Sequence, residues 1–202
     1  MELLLIRHGQ SEADLLGVLE GRADFPLTEL GREQARKLAI YLNGAMRPEK
    51  IIASPLKRAP GTARILRDVT GAELEVDPLL MEFNNGVLAG MPKEVAAVQY
   101  PLHPEGRPAH IPIQDGESEL EFRFRAEAFL QKTLTENQNA NRVAVVSHGG
   151  LISKFLQAFM NMPAINGFGF PTADTGFHLL EINEQERLIW KLNSEEHLGG
   201  LR

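Results

Sequence analysis

Two histidines and two arginines stand where the chain could bring them together. Arg7 and His8 precede Gly9, Arg58 closes the run Ser54-Pro55-Leu56-Lys57-Arg58, and His148 sits in Ser147-His148-Gly149-Gly150. A neutral imidazole can attack an electrophile or carry a proton, and a guanidinium presents a planar fork of N–H donors to an anion. Singly these residues are ordinary. A histidine after a strand is commonly structural, an arginine in a first helical turn is commonly a surface charge, and Ser-Pro before a helix is a cap. Together they describe a small cationic pocket, because burying such groups side by side is costly without an anion to face them.

The surrounding pattern supplies elements able to position them. Leu3-Leu4-Leu5-Ile6 and Val143-Ala144-Val145-Val146 are continuous apolar runs, as expected of strands covered on both faces. Ile51-Ile52-Ala53 and Leu74-Glu75-Val76 read as two further strands, and residues 176–192 as a pair of alternating ones. Thr28 is placed to cap a helix carrying Leu30, Ala35, Leu38, Ala39 and Leu42, with Asn43-Gly44 ending it. Ser54 as N-cap with Pro55 at the first helical position opens a helix toward Gly71. Ser118 and Glu121 form a capping box before the stripe Phe122, Ala126, Phe129, Leu130 and Leu134, and a helix follows from Gly149 to Met160. Residues 83–116 are rich in Gly and Pro, with one short helix near Lys93–Tyr100, and read as an excursion covering a site. This alternation predicts an α/β fold, a three-layer α/β/α sandwich around a mostly parallel central sheet, with the chain 1–202 as a single domain. In such sheets ligands bind beyond the carboxyl ends of the strands. Helix N-termini there add free N–H groups that favour a phosphate dianion.

Composition narrows the functions. The 202 residues are 43% hydrophobic and 24% charged, which excludes a disordered chain, a collagen and a coiled-coil rod. Lys and Arg number 21 against 27 Asp and Glu, a net charge of −6, so no broad nucleic-acid-binding face is expected. With zero Cys there is no disulfide, thiolate metal site or Cys nucleophile. No apolar window approaches the roughly 18 residues of a membrane helix, and the N-terminus lacks the pattern of a secretion signal, so a cytoplasmic protein without membrane partners is expected. His103, His110, His178 and His197 stand alone, without metal-ligand spacing, and no metal or cofactor is expected.

Taken in order, Arg7-His8-Gly9, Ser54 through Ala59 and Ser147 through Gly150 resemble the signatures of the histidine phosphatase superfamily, the phosphoglycerate mutase-like proteins. Gly21 through Ala35 is similar to the segment that enters the family's next helix, and Leu80 through Gly86, with Gly90, to its acid-bearing segment. The resemblance covers nearly the whole chain and implies roles. His8 would attack phosphorus while its other nitrogen donates to a backbone carbonyl. Arg7, Arg58 and His148 would hold the non-bridging oxygens, and Gly149 and Gly150 would let the backbone approach them. Glu82 would protonate the leaving alkoxide and then deprotonate the attacking water. Ser11, Arg22, Gly149 and Lys93 would contact the substrate.

Departures from the family pattern sharpen the expectations. Asp14 stands where an Asn often meets the phosphate, so it is expected to turn away, to pair with Arg22, or to lie outside direct contact. Arg22 replaces a common aromatic residue. Pro60-Gly61 is expected to interrupt the helix after Arg58. Residues 103–116 offer only Arg107 where mutases carry a pair of arginines, and Asn85 replaces a mutase Tyr, although Lys93 keeps a mutase spacing. The resemblance therefore implies a metal-independent phosphomonoesterase for a small phosphorylated metabolite. A phosphoglycerate mutase and a non-catalytic phospho-ligand binding domain are the alternatives. Phe83, Asn85, Met91, Tyr100 and the loop Ala164–Thr175 are the expected walls of the specificity pocket, and self-association into a homo-oligomer is left open.

Overall fold

The computed structural model describes residues 1–101 and 106–199. Its sheet has six strands in the order β3-β2-β4-β1-β5-β6. In chain order they are β1 (Glu2–Arg7), β2 (Lys50–Ala53), β3 (Glu73–Val76), β4 (Arg142–Ser147), β5 (Phe177–Ile182) and β6 (Arg187–Ser194). The pairs β3·β2, β2·β4 and β4·β1 are parallel, and β5 and β6 complete the sheet antiparallel. The helices are α1 (Glu12–Leu16), α2 (Glu29–Ala45), α3 (Arg58–Thr70), α4 (Lys93–Gln99), α5 (Glu119–Glu136) and α6 (Gly149–Phe159).

Alternate residues of the central strands feed two apolar layers. Leu3, Leu5, Val143 and Val145 pack with Phe122, Phe129 and Phe155 of α5 and α6. Leu4, Ile6, Ala144 and Val146 pack with Leu38, Leu42, Ala63 and Leu66 of α2 and α3. Covering both faces requires the uninterrupted apolar runs seen in β1 and β4. The result is the three-layer α/β/α sandwich that the alternation implies.

Register aligns the strand ends that carry the chemistry. Arg7 lies opposite Ser147 and Ala53 opposite Val146, so His8 falls beside His148 and Ser54 beside Ser147. The ladder extends one step further, with His8 N–H donating to the Ser147 carbonyl at 3.0 Å and Ser54 N–H to the Val146 carbonyl at 3.0 Å. The loop after β1 then crosses the start of α2 at backbone contact. A Cβ on Gly9 would stand 2.3 Å from the Gly31 carbonyl oxygen, and one on Gly31 would stand 2.1 Å from that of Gln10. Only glycine fits at both positions.

The helix ends follow their caps with three differences. Thr28 Oγ1 accepts the Gly31 N–H at 3.0 Å and opens α2, and Ser118 opens α5 with Glu121 reciprocating. α2 runs through Asn43-Gly44 to Ala45. α3 begins at Arg58, with Lys57 as its N-cap residue, and not at Ser54-Pro55. Pro60-Gly61 does not break α3: the proline occupies the third helical position, where the N–H it lacks has no intrahelical acceptor in any case. The excursion 83–116 includes α4 and is pinned to the chain after α1, with Leu19 N–H donating to the Met91 carbonyl at 2.9 Å and Gly90 N–H to that of Leu19 at 2.8 Å. His103 lies outside the described residues.

Candidate active site

The carboxyl ends of β1 and β4 deliver two buried imidazoles whose ring centroids stand 5.0 Å apart. His8 Nδ1–H donates to the Gly9 carbonyl at 2.7 Å, which leaves Nε2 unprotonated, and Nε2 accepts the Arg58 Nε–H at 3.1 Å. Burial, then the charges of Arg58 and Arg7, hold the His8 pKa well below its usual value, so the ring is neutral. In His148, Nε2 lies 2.8 Å from Ser54 Oγ. That hydroxyl accepts the Leu56 N–H at 3.4 Å, and among the described residues its own proton has no acceptor other than His148 Nε2, which assigns the ring proton to Nδ1, a buried atom with no hydrogen-bond partner among those residues. Burial, then the charge of Arg58, keep His148 neutral as well.

Arg58 is 0% exposed. Its Nη1 and Nη2 donate to the carbonyls of Ala23 and Gly21 at 3.0 and 2.8 Å, and its Nε lies 3.2 Å from Glu20 Oε1. Thr62 ties α3 to the loop after β1, with its hydroxyl oxygen accepting the Gly9 N–H at 3.1 Å and its proton going to the Arg58 carbonyl at 3.1 Å. Arg7 reaches out from β1, with Nη1 donating to the Thr172 carbonyl at 2.8 Å and Nη2 3.1 Å from Asp174 Oδ1.

Glu82 meets the N-terminus of α6. Its Oε2 accepts the Gly150 N–H at 2.9 Å and its Oε1 the Phe83 N–H at 2.8 Å. A Cβ on Gly150 would stand 2.5 Å from that Oε1, so residue 150 has no room for a side chain while Glu82 lies there. The Glu82 carbonyl accepts from Arg125 Nη2 at 3.1 Å and Arg22 Nε at 3.3 Å, and Glu117 joins both arginines.

The expected residues therefore divide. Arg7, His8, Arg58, His148 and Glu82 gather at one sheet edge, with Gly149 against the Arg7 side chain. Ser11 is buried and donates to Glu20. Asp14 is turned onto the Ser11 N–H at 2.9 Å, the first of the three expected outcomes, and does not pair with Arg22. Arg22 faces Glu117 and the Glu82 carbonyl. Lys93 is exposed at the start of α4 and makes no side-chain bond to the cluster among the described residues. Phe83 is half-buried and packs edge-on against Phe122 at the border of the core, whereas Tyr100 is exposed at the end of α4. No motif marks Glu20, Thr62, Asp174 or Arg125. Each acts through a partner remote in sequence, and only the charged types at positions 20, 125 and 174 hint at them. Among the described residues no three His, Asp or Glu side chains are grouped as metal ligands, and no helix is long and apolar enough to cross a membrane.

Fold and site together define an α/β protein with a cluster of donors around two neutral imidazoles at the carboxyl edge of its sheet. The family model for the histidine phosphatase superfamily (branch 1) matches residues 3–195, and the chain belongs to that family. It is 28% identical to phosphoserine phosphatase 1 of Hydrogenobacter thermophilus over 98% of this chain and 95% of that one. It is 30% identical to an adenosylcobalamin/alpha-ribazole phosphatase of Escherichia coli over 96% of each chain. It is 31% identical to a probable phosphoglycerate mutase of an Enterobacter species over 81% of this chain and 77% of the other. The crystal structure of the alpha-ribazole phosphatase from Shigella flexneri superposes with a TM-score of 0.85 at 28% identity, covering 96% of this chain and 97% of that one.

Proposed function

We propose that the protein is a metal-independent phosphomonoesterase that hydrolyses a small phosphorylated metabolite through a phosphohistidine. The observation that carries this reading is the His8 tautomer. With Nδ1–H bound to the Gly9 carbonyl, the Nε2 lone pair faces the Arg58 donor group, and beside it stands the His148 ring, whose Nδ1 has no partner among the described residues. An electrophilic phosphorus placed there meets a neutral nucleophile, and its oxygens meet donors already in position. His8 Nε2 bonds to phosphorus as the P–O ester bond breaks, and Glu82 passes a proton to the departing alkoxide. Water, deprotonated by Glu82, then attacks the phosphohistidine, the N–P bond breaks, and phosphate leaves with His8 neutral again. Arg7, Arg58 and His148 serve the non-bridging oxygens, and Ser11 and Gly149 line the approach. Arg22 positions the Glu82 backbone, and Lys93 is available to a substrate group beyond the phosphate. The phosphatase names of two relatives, over nearly their full length, support hydrolysis over mutase transfer. We place the protein in the cytoplasm, as a single domain.

The test is hydrolysis of p-nitrophenyl phosphate with and without EDTA, joined to acid trapping of the phosphoenzyme. Turnover is expected to survive the chelator. His8→Ala is expected to lose both the acid-labile phosphoprotein and turnover, to less than about 10⁻³ of wild type. Retained activity in His8→Ala would remove the nucleophile. Conversion of 3-phosphoglycerate to its 2-isomer without release of phosphate would make the protein a mutase instead.

A further inference from the structure

Glu20 is a carboxylate inside the cluster of donors. Its Oε1 lies 3.2 Å from Arg58 Nε and accepts the Ser11 hydroxyl at 2.5 Å, while its Oε2 lies 3.9 Å from His8 Nε2. The side chain is only 19% exposed. It thus holds two donors that an incoming oxyanion would use, and it lies within ion-pair range of the nitrogen that would attack. A dianion entering there meets a like charge in a site poor in water. Swinging Glu20 aside would break its carboxylate's contacts with Ser11 and Arg58, and the loop cannot shift with it, since the carbonyls of Gly21 and Ala23 are held by the Arg58 guanidinium. A neutral carboxyl, by contrast, needs no movement. Its carbonyl oxygen keeps Arg58 and Ser11, and its O–H points a new donor at the anion.

We propose that Glu20 takes up one proton from solvent when an oxyanion binds, so that the pocket captures a dianion only together with that proton. This deepens the phosphatase reading and rests on it, since the anion is taken to be the phosphoryl group of the substrate. The groups facing Glu20 are Arg58 from α3, Arg7 and His8 from the end of β1, and Ser11 and Asp14 at α1. The arginines and the Ser11 hydroxyl favour its charged form. Burial and the Asp14 carboxylate oppose it, and burial is the largest effect, so the carboxyl sits above its ordinary value before any anion arrives. His8 and His148 are the rival proton acceptors, and burial disfavours a charge on either.

Inorganic sulfate is a suitable probe because it carries no titrating proton of its own near neutrality. Calorimetric titrations at about pH 6 and about pH 7.5, each in buffers of different protonation enthalpy, count the protons taken up per sulfate. The wild-type protein is expected to take up close to one, and its affinity to weaken by about tenfold per pH unit above the Glu20 titration. Glu20→Gln keeps the size and the donor, and is expected to take up none and to bind sulfate with less than about a twofold change across the same range. Glu20→Ala serves the same purpose if the glutamine variant does not fold. Sulfate binding without proton uptake in the wild-type protein would overturn the coupling and leave the phosphatase reading standing. Proton uptake that survives in the variants would assign it to His8 or His148 and overturn it equally. Failure of sulfate to bind the wild-type protein at all would remove the pocket, and both readings with it.

Discussion

His8 and His148 carry their proton on the same ring nitrogen yet spend opposite groups on their neighbours. In His8 the Nδ1–H is spent on the Gly9 carbonyl and the lone pair is offered; in His148 the lone pair is spent on the Ser54 hydroxyl and the N–H is offered. One imidazole is therefore suited to attack and the other to stabilise, and the difference rests on a single hydroxyl. Ser54→Ala would release His148 Nε2 and remove the preference for the Nδ1–H tautomer. We expect kcat/KM for p-nitrophenyl phosphate to fall by about tenfold, near the net worth of one hydrogen bond, with little change in KM. An unchanged kcat would show that His148 acts without this orientation. Ser54 is legible in the sequence as a polar residue ending β2, but its task is not. Ser-Pro reads as a helix cap, whereas the helix starts at Arg58 and Ser54 lies one step along the ladder from Val146, beside the residue before His148. Glu20 escapes the sequence for a similar reason, because its meaning comes from Arg58, which another element supplies.

At the level of elements, α6 carries the clearest consequence. Its N-terminal N–H groups face the site, and the Gly150 N–H is spent on Glu82. A Cβ at residue 150 would stand 3.0 Å from the Glu82 carboxyl carbon, and a carboxylate at the end of its side chain yields more readily than a helix backbone. Gly150→Ala is therefore expected to displace the acid rather than the fold. Hydrolysis of an alkyl phosphate, whose leaving group needs a proton, should fall by about 10²-fold, and that of p-nitrophenyl phosphate by much less, with the melting temperature nearly unchanged. Equal losses for both esters would place Glu82 outside proton transfer. The elements themselves were mostly readable: β1 and β4 as doubly covered apolar runs, α2 and α5 from Thr28 and Ser118 as caps. α1 was not, because Glu12–Leu16 has one buried residue and leaves Leu15 and Leu16 70% and 61% exposed, so no apolar stripe marks it. Pro60 misleads for the opposite reason. A proline signals a break when the N–H it removes would have had an acceptor and its ring would meet the turn before it, and at the third position of α3 no helical turn precedes it.

For the molecule as a whole, the price of the site is a set of imidazoles kept out of water. The fold class follows from the alternation of strands and helices, but this burden does not, since the net charge of −6 says nothing of where single charges lie. Besides His8 and His148, burial lowers His178 and His197 from 6.5 to about 4. His178 is held neutral between Thr172 Oγ1 at 2.9 Å and the Asn193 N–H at 3.2 Å, and Thr172 in turn holds Arg7 through its carbonyl. Below pH 6.5 the unfolded chain protonates these rings and the folded one does not, so stability present above that value is lost as the pH falls toward about 4. The buried carboxyls of Glu20 and Asp174, raised above their ordinary 4.5 and 3.8, act with the opposite sign, in the range just above those values. Between neutrality and about pH 5 the histidines outnumber them, and each contributes a slope of about 1.4 kcal/mol per pH unit inside its window. Chemical denaturation of the wild-type protein should therefore show a marked loss of unfolding free energy over that range. His178→Asn, which keeps polar atoms in place but cannot titrate, should flatten the loss by about 1.4 kcal/mol per pH unit whatever it costs at neutral pH. A slope identical to that of the wild type would mean that His178 accepts a proton in the folded state as readily as in the unfolded one, and that its bonds to Thr172 and Asn193 do not hold it neutral.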